Sequence, residues 1–256
     1  MDSLRTRRDP VVTATVVLVH GAFHGGWCWE PVVRALDRRG VPAVAVTLPY
    51  SCWQDDVRAL RDAVRSVRGT VLLVGHSLGG AIVCAVGDEP AVARLGFVSA
   101  LVVDPDETVR DRLARRGVAE HLRDGADPAV RAAMSAGDDG NVRIAPGAAG
   151  SLFYSDCRPE EVARAVSRLR PISASSLTGR PTAAPWRDKP ASYLFCTEDR
   201  AVPMDVQEAY AEGLRGHRDR LDASHSPFWS RPSDVAGVLE RWAAETAETA
   251  ETAAAE

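Results

Sequence analysis

The chain has 256 residues, 45% hydrophobic and 26% charged, enough for one large domain with a sizeable core. A formal net charge of −4 excludes the basic footprint of a nucleic-acid or anionic-membrane binder, so neither is an expected partner. Positive charge is almost all arginine, with Lys189 the single lysine; five cysteines (Cys28, Cys52, Cys84, Cys157, Cys196) lack metal-ligand spacing and read as free thiols of a cytoplasmic protein.

Met1 to Pro10 is polar, and its Arg5, Arg7 and Arg8 read as a solvated tail. Thr15 to Val19 predicts the first strand. The apolar run from Val11 is too short to span a bilayer and carries no cleavage site, so neither signal peptide nor anchor is expected. The strand runs into His20-Gly21-Ala22-Phe23-His24-Gly25-Gly26, a tight loop whose N–H groups can face a pocket. A helix follows, with Glu30 and Pro31 near its start, Val32, Val33 and Leu36 on one face, and Arg38-Arg39-Gly40 at its end. Val41 to Leu48 predicts a second strand and Pro49 to Cys52 a turn. Asp55-Asp56 opens a helix with Val57, Leu60, Val64 and Val67 at helical spacing.

Val71-Leu72-Leu73-Val74 reads as a strand buried on both faces. It enters Gly75-His76-Ser77-Leu78-Gly79, a G-x-S-x-G nucleophile elbow, and then the small-residue helix Gly80 to Val86. A strand turning straight into a helix strains the serine backbone and pushes its hydroxyl outward. The flanking glycines lie too close to neighbouring backbone to carry side chains. The Leu78 N–H, at the helix start, suits a developing oxyanion.

Leu95 to Val103 predicts a fourth strand ending at Asp104-Pro105. Alternating strands and helices mean a mostly parallel sheet of about six strands, with reactive loops at the strands' carboxyl ends. From Pro105 the alternation breaks. Val109, Leu113 and Val118 suggest one helix, Asp127-Pro128 opens another, and Pro159-Glu160-Glu161 a third ending at Pro171. Residues 105–189 are therefore expected to form an inserted helical lid between core segments 11–104 and 190–244. Ala191 to Cys196 returns to the sheet, Val202-Pro203 opens a helix through Leu214, and Arg218 to Asp222 is a polar edge-strand candidate. A final amphipathic helix carries Val235, Val238, Leu239 and Trp242; the low-complexity tail 245–256 has no assigned role.

A serine hydroxyl needs a base. His20 and His76 read as structural, His24 as packing near the pocket, and His121 and His217 as surface; His225 follows the last strand candidate. The order Ser…Asp…His favours Ser77, Asp199 and His225, with Asp104 the competing acid. Leu78 and Ala22, with Phe23 the alternative to Ala22, are the expected oxyanion donors. Phe23, His24, Trp27, Trp53, Phe153, Tyr154 and Trp186 are candidate pocket residues.

These motifs resemble the α/β-hydrolase fold. His20 to Trp29, Glu198 to Pro203 and Ser224-His225-Ser226-Pro227 resemble its branch of plant methylesterases, hydroxynitrile lyases and pyrethroid-type carboxylesterases. The resemblance implies the triad Ser77, Asp199, His225 and hydrolysis of a small or medium ester, thioester or lactone, without metal or organic cofactor. Hydroxynitrile lyases of the branch typically carry threonine where this chain has Gly21 and lysine where it has Ser226, so hydrolysis is expected over that lyase chemistry, with a lyase or cyclase using the scaffold for proton transfer the alternative. The intact Ser, Asp and His positions count against ligand binding by an idle triad.

Overall fold

The computed structural model describes residues 14–115 and 133–255. The expectations for Met1 to Pro10, Val118, His121 and Asp127-Pro128 fall outside them. Along the chain the strands are β1 (Thr15–Val19), β2 (Ala43–Val46), β3 (Val71–His76), β4 (Val92–Val98), β5 (Met134–Ala136), β6 (Asn141–Ile144), β7 (Ile172–Ser173), β8 (Ala191–Cys196) and β9 (Arg218–Leu221). The helices are α1 (Glu30–Asp37), α2 (Trp53–Ser66), α3 (Gly79–Val86), α4 (Val109–Arg115), α5 (Pro146–Phe153), α6 (Pro159–Val166), α7 (Pro185–Asp188), α8 (Met204–Tyr210), α9 (Pro227–Ser230) and α10 (Pro232–Ala255).

The main sheet has six strands in the order β2-β1-β3-β4-β8-β9, and every pair is parallel. All of β3 is buried, which is why its sequence is a continuous apolar run. The edge strands β2 and β9 alternate in exposure and tolerate polar residues, as expected of Arg218 to Leu221. Side chains alternate between the two faces. A Cβ on Gly96, beside Val74, would meet Trp242 of α10 at 3.0 Å; one on Gly75, facing the other way, would meet the start of α3 at 2.8 Å. The sheet is thus covered by α10 on one side and α3 on the other.

Several boundaries differ from expectation: β2 spans only Ala43–Val46 within Val41 to Leu48, and α6 ends at Val166, before Pro171. β4 starts at Val92 and ends at Val98, short of Val103, because Ser99 turns the chain at φ +42°. The Leu101 N–H then donates to the Ser77 carbonyl, so this segment wraps the elbow instead of extending the sheet. Helix α8 ends at Tyr210, before Leu214. Between β4 and β8 the helices are joined by a small antiparallel sheet, β5-β6-β7, which the Gly, Ala and Ser content of Gly137 to Gly150 concealed. The Glu-Thr-Ala repeat continues α10.

Candidate active site

Ser77 joins β3 to α3 at φ +50°, a conformation that costs a non-glycine residue roughly 1–3 kcal/mol and marks a constrained site. Its neighbours explain the glycines. A Cβ on Gly79 would come within 2.5 Å of the His20 carbonyl, and one on Gly80 within 2.3 Å of the Leu101 carbonyl. A Cβ on Gly21 would lie 2.8 Å from the Ser77 Cβ, so the glycine loop after β1 abuts the elbow directly. Ser77 is half-buried.

Asp199 lies in the turn after β8, and His225 in the loop between β9 and α9. His225 Nδ1 donates to Asp199 Oδ2 at 2.7 Å, with both side chains buried. The other carboxylate oxygen, Oδ1, accepts from the N–H groups of Ala201 and Val202 at 2.7 and 2.8 Å. The Ser99 hydroxyl also donates to Oδ2. Four donors therefore fix one carboxylate, which in turn holds the imidazole with Nδ1 protonated and Nε2 free as a base. His76, next to Ser77, donates from Nε2 to the His225 carbonyl at 2.8 Å, and the two rings lie 4.6 Å apart. Among the described residues, no hydrogen bond joins the Ser77 hydroxyl to His225. Asp104 instead pairs with Arg187 at 2.5 Å, well past the end of β4. Glu198 is exposed.

The glycine loop is fixed through its carbonyls. The Gly21 oxygen accepts from His20 Nδ1 at 3.0 Å and from the His24 N–H at 3.3 Å. The Ala22 oxygen accepts from His24 Nδ1 at 2.7 Å, and Tyr154 donates its hydroxyl to His24 Nε2 at 2.7 Å. A planar peptide points its N–H opposite its carbonyl, so tying down the Gly21 oxygen aims the Ala22 N–H the other way. Among the described residues no acceptor takes the N–H of Ala22 or Leu78. Burial lowers His20 to about 3 and His24 to about 4, and takes His76 well below its usual 6.5. All three are neutral, hydrogen-bonded struts. Burial likewise raises the Tyr154 phenol, which stays a donor.

Residues 16–238 match the alpha/beta hydrolase family. The chain belongs to that family. Methylesterase 7 of Arabidopsis thaliana is 28% identical over 254 residues, covering 87% of this chain and 94% of its own. Norfluorocurarine synthase 2 of a Strychnos species is 29% identical over 247 residues, covering 87% and 92%. The crystal structure of a pyrethroid hydrolase from Sphingobium faniae JZ-2 superposes with a TM-score of 0.75 at 21% identity, over 90% of this chain and 97% of that one, which shows the shared fold.

In this alpha/beta hydrolase the sequence-predicted pocket residues separate into two groups. Phe153 packs 5.4 Å from the His225 ring and stacks with Phe23 at 6.4 Å. His24 is enclosed by Trp27, Phe153, Tyr154 and Phe228. Trp53 instead packs against Gly179 and borders an outer groove with Val57 and Arg61. Trp186 donates to the Val103 carbonyl at 3.4 Å and lies under Arg187. Neither ring is among those around His24 or His225.

Sequence reasoning did not find Ser99 or Asp156. Asp156 accepts from the Ser224 N–H at 3.1 Å and the Ser224 hydroxyl at 2.5 Å, holding the residue before His225. Neither residue sits in a motif. The described residues contain no group of three potential metal ligands and no helix long and apolar enough to cross a membrane.

Proposed function

We propose that the chain is a serine esterase acting on a small or medium carboxylic ester, thioester or lactone. Ser77 Oγ attacks the carbonyl carbon while His225 Nε2 takes its proton. The N–H groups of Ala22 and Leu78 hold the tetrahedral oxyanion. Collapse expels the alcohol, which leaves with the proton from His225. Water then attacks the acyl-enzyme, His225 takes its proton, and the second collapse returns that proton to Ser77 as the acid departs. Asp199 keeps the imidazole in the tautomer that leaves Nε2 basic and stabilises the imidazolium.

The observation that carries this reading is the buried 2.7 Å Asp199–His225 hydrogen bond, with the His225 carbonyl tethered to His76, the residue beside Ser77. The names of relatives such as the methylesterase support the ester class. A p-nitrophenyl ester assay tests it. Ser77→Ala is expected to lose turnover and to resist a fluorophosphonate that adds one phosphonyl group to the parent chain; wild-type turnover by Ser77→Ala defeats the proposal. The synthase names among the relatives make lyase or cyclase chemistry the second reading. Turnover in ¹⁸O-labelled water separates them, because ester hydrolysis places the label in the acid product.

A further inference from the structure

We propose that Arg170, which follows α6, is the positioning residue that sets the oxyanion loop. The inference rests on the serine-esterase reading above. Four consecutive carbonyls of that loop are taken. The two upstream, Gly21 and Ala22, are held by histidines of the loop itself. The two downstream are held from outside by a single residue: the Arg170 N–H donates to the Phe23 carbonyl at 2.8 Å and its Nε to the His24 carbonyl at 3.0 Å.

Phe23 lies at φ +66°, a left-handed conformation that a bulky residue leaves unless something holds it. Arg170 holds the two carbonyls that follow the strained α-carbon, Phe23's own through its backbone N–H and His24's through the guanidinium Nε. The rest of the guanidinium is equally committed. Nη1 donates to the Pro49 carbonyl at 3.0 Å, Nη2 donates to the Leu48 carbonyl, and the group lies 5.5 Å from the Tyr50 ring. The loop after β2 is itself bonded to His20: the Leu48 N–H donates to His20 Nε2 at 2.9 Å, and the Tyr50 hydroxyl to the His20 carbonyl at 3.2 Å. The planar fork thus ties the two loops beside the elbow into one unit, which the single ammonium of a lysine does not reproduce.

Arg170 makes no hydrogen bond to Ser77, Asp199 or His225 among the described residues. Truncating the side chain keeps the backbone bond to the Phe23 carbonyl but frees the His24 carbonyl and unties the loop after β2, so the turn around Phe23 relaxes and the Ala22 N–H shifts from the oxyanion position, leaving the base pair intact. The consequence is a transition-state effect. Losing an oxyanion donor outright costs about 10²–10³ in kcat, and a misplaced one somewhat less.

The test compares the parent chain with Arg170→Ala and Arg170→Lys on p-nitrophenyl acetate. A trifluoromethyl ketone serves as the tetrahedral mimic and the corresponding methyl ketone as the ground-state ligand. Both variants are expected to lose about ten- to a hundredfold in kcat with KM changed less than about threefold. Trifluoromethyl ketone affinity falls by the same factor as kcat/KM, while methyl ketone affinity and the pH profile stay put. Millimolar guanidinium restores part of the Arg170→Ala activity.

Equal trifluoromethyl ketone affinity in all three chains overturns the inference, as does a loss confined to KM. If Arg170→Ala does not fold, Arg170→Lys carries the same test, and wild-type kinetics from it are equally fatal. A parent chain that forms no ketone adduct at Ser77 sinks the serine reading itself, a result distinct from adducts of equal affinity in every variant.

Discussion

Acidification tests the buried histidines beneath the site. His20, His24 and His76 are each 0–1% exposed and neutral in the fold, with His20 lowered to about 3, His24 to about 4 and His76 lowered too. In the unfolded chain each returns to about 6.5. Their folded values lie below the unfolded one, so the unfolded state binds more protons between the two. Stability is full above pH 6.5 and falls as the pH drops toward the folded values. At about pH 5 each histidine that stays neutral forgoes 1.5 proton-binding units of about 1.36 kcal/mol, or about 2 kcal/mol. His20 and His24 together amount to about 4 kcal/mol, a large fraction of the entire stability of many domains, and His76 adds to it in the same direction. Urea unfolding at about pH 7.5, 6.5 and 5 reads this out as a falling midpoint at constant slope. His20→Gln, whose amide both donates and accepts, is expected to start less stable and to lose about 2 kcal/mol of that acid sensitivity. A midpoint that does not move from about pH 7.5 to about pH 5 refutes the reasoning.

Ser99→Ala removes the hydroxyl that shares Asp199 Oδ2 with His225; kcat/KM for a p-nitrophenyl ester is expected to fall about tenfold, and unchanged turnover shows that Asp199 holds the imidazole without it. Asp156→Ala frees Ser224 and with it the His225 loop, so kcat is expected to drop about tenfold in steady-state assays, with Asp156→Asn intermediate because it keeps one acceptor. Gly80→Ala places a methyl 2.3 Å from the Leu101 carbonyl and is expected to yield little soluble protein. Gly147→Ala meets nothing within 4 Å on α5 and is expected to raise stability by about 0.5–1 kcal/mol in thermal melts.

The parts of the site readable in the sequence are those set by local sterics or by chain order. Gly75, Gly79 and Gly80 mark the elbow because backbone packs where their side chains would go. Asp199 and His225 are readable because each follows a strand in the expected order, and the structure brings them into one hydrogen bond. Asp104 competed with Asp199 only while β4 was drawn through to Val103; the left-handed turn at Ser99 carries the chain away from the sheet, and a Ser-Ala pair gives no hint of it. Ser99, Asp156 and Arg170 were invisible for a different reason. They act on residues distant in sequence through backbone carbonyls, amides or a shared carboxylate oxygen, and such pairings leave no periodicity or spacing. Trp53 and Trp186 show the converse, since an aromatic residue reads the same whether it lines a pocket or packs elsewhere. The strands β5, β6 and β7 are too short to show alternation.

The most direct measurement is a crystal structure of the chain after reaction with an alkyl fluorophosphonate. Phosphorus bonded to Ser77 Oγ, its free oxygen about 3 Å from the N–H groups of both Ala22 and Leu78, and His225 Nε2 within hydrogen-bond reach of the adduct are the expected result. Phosphorus on another residue, or a free oxygen turned away from both amides, contradicts the account.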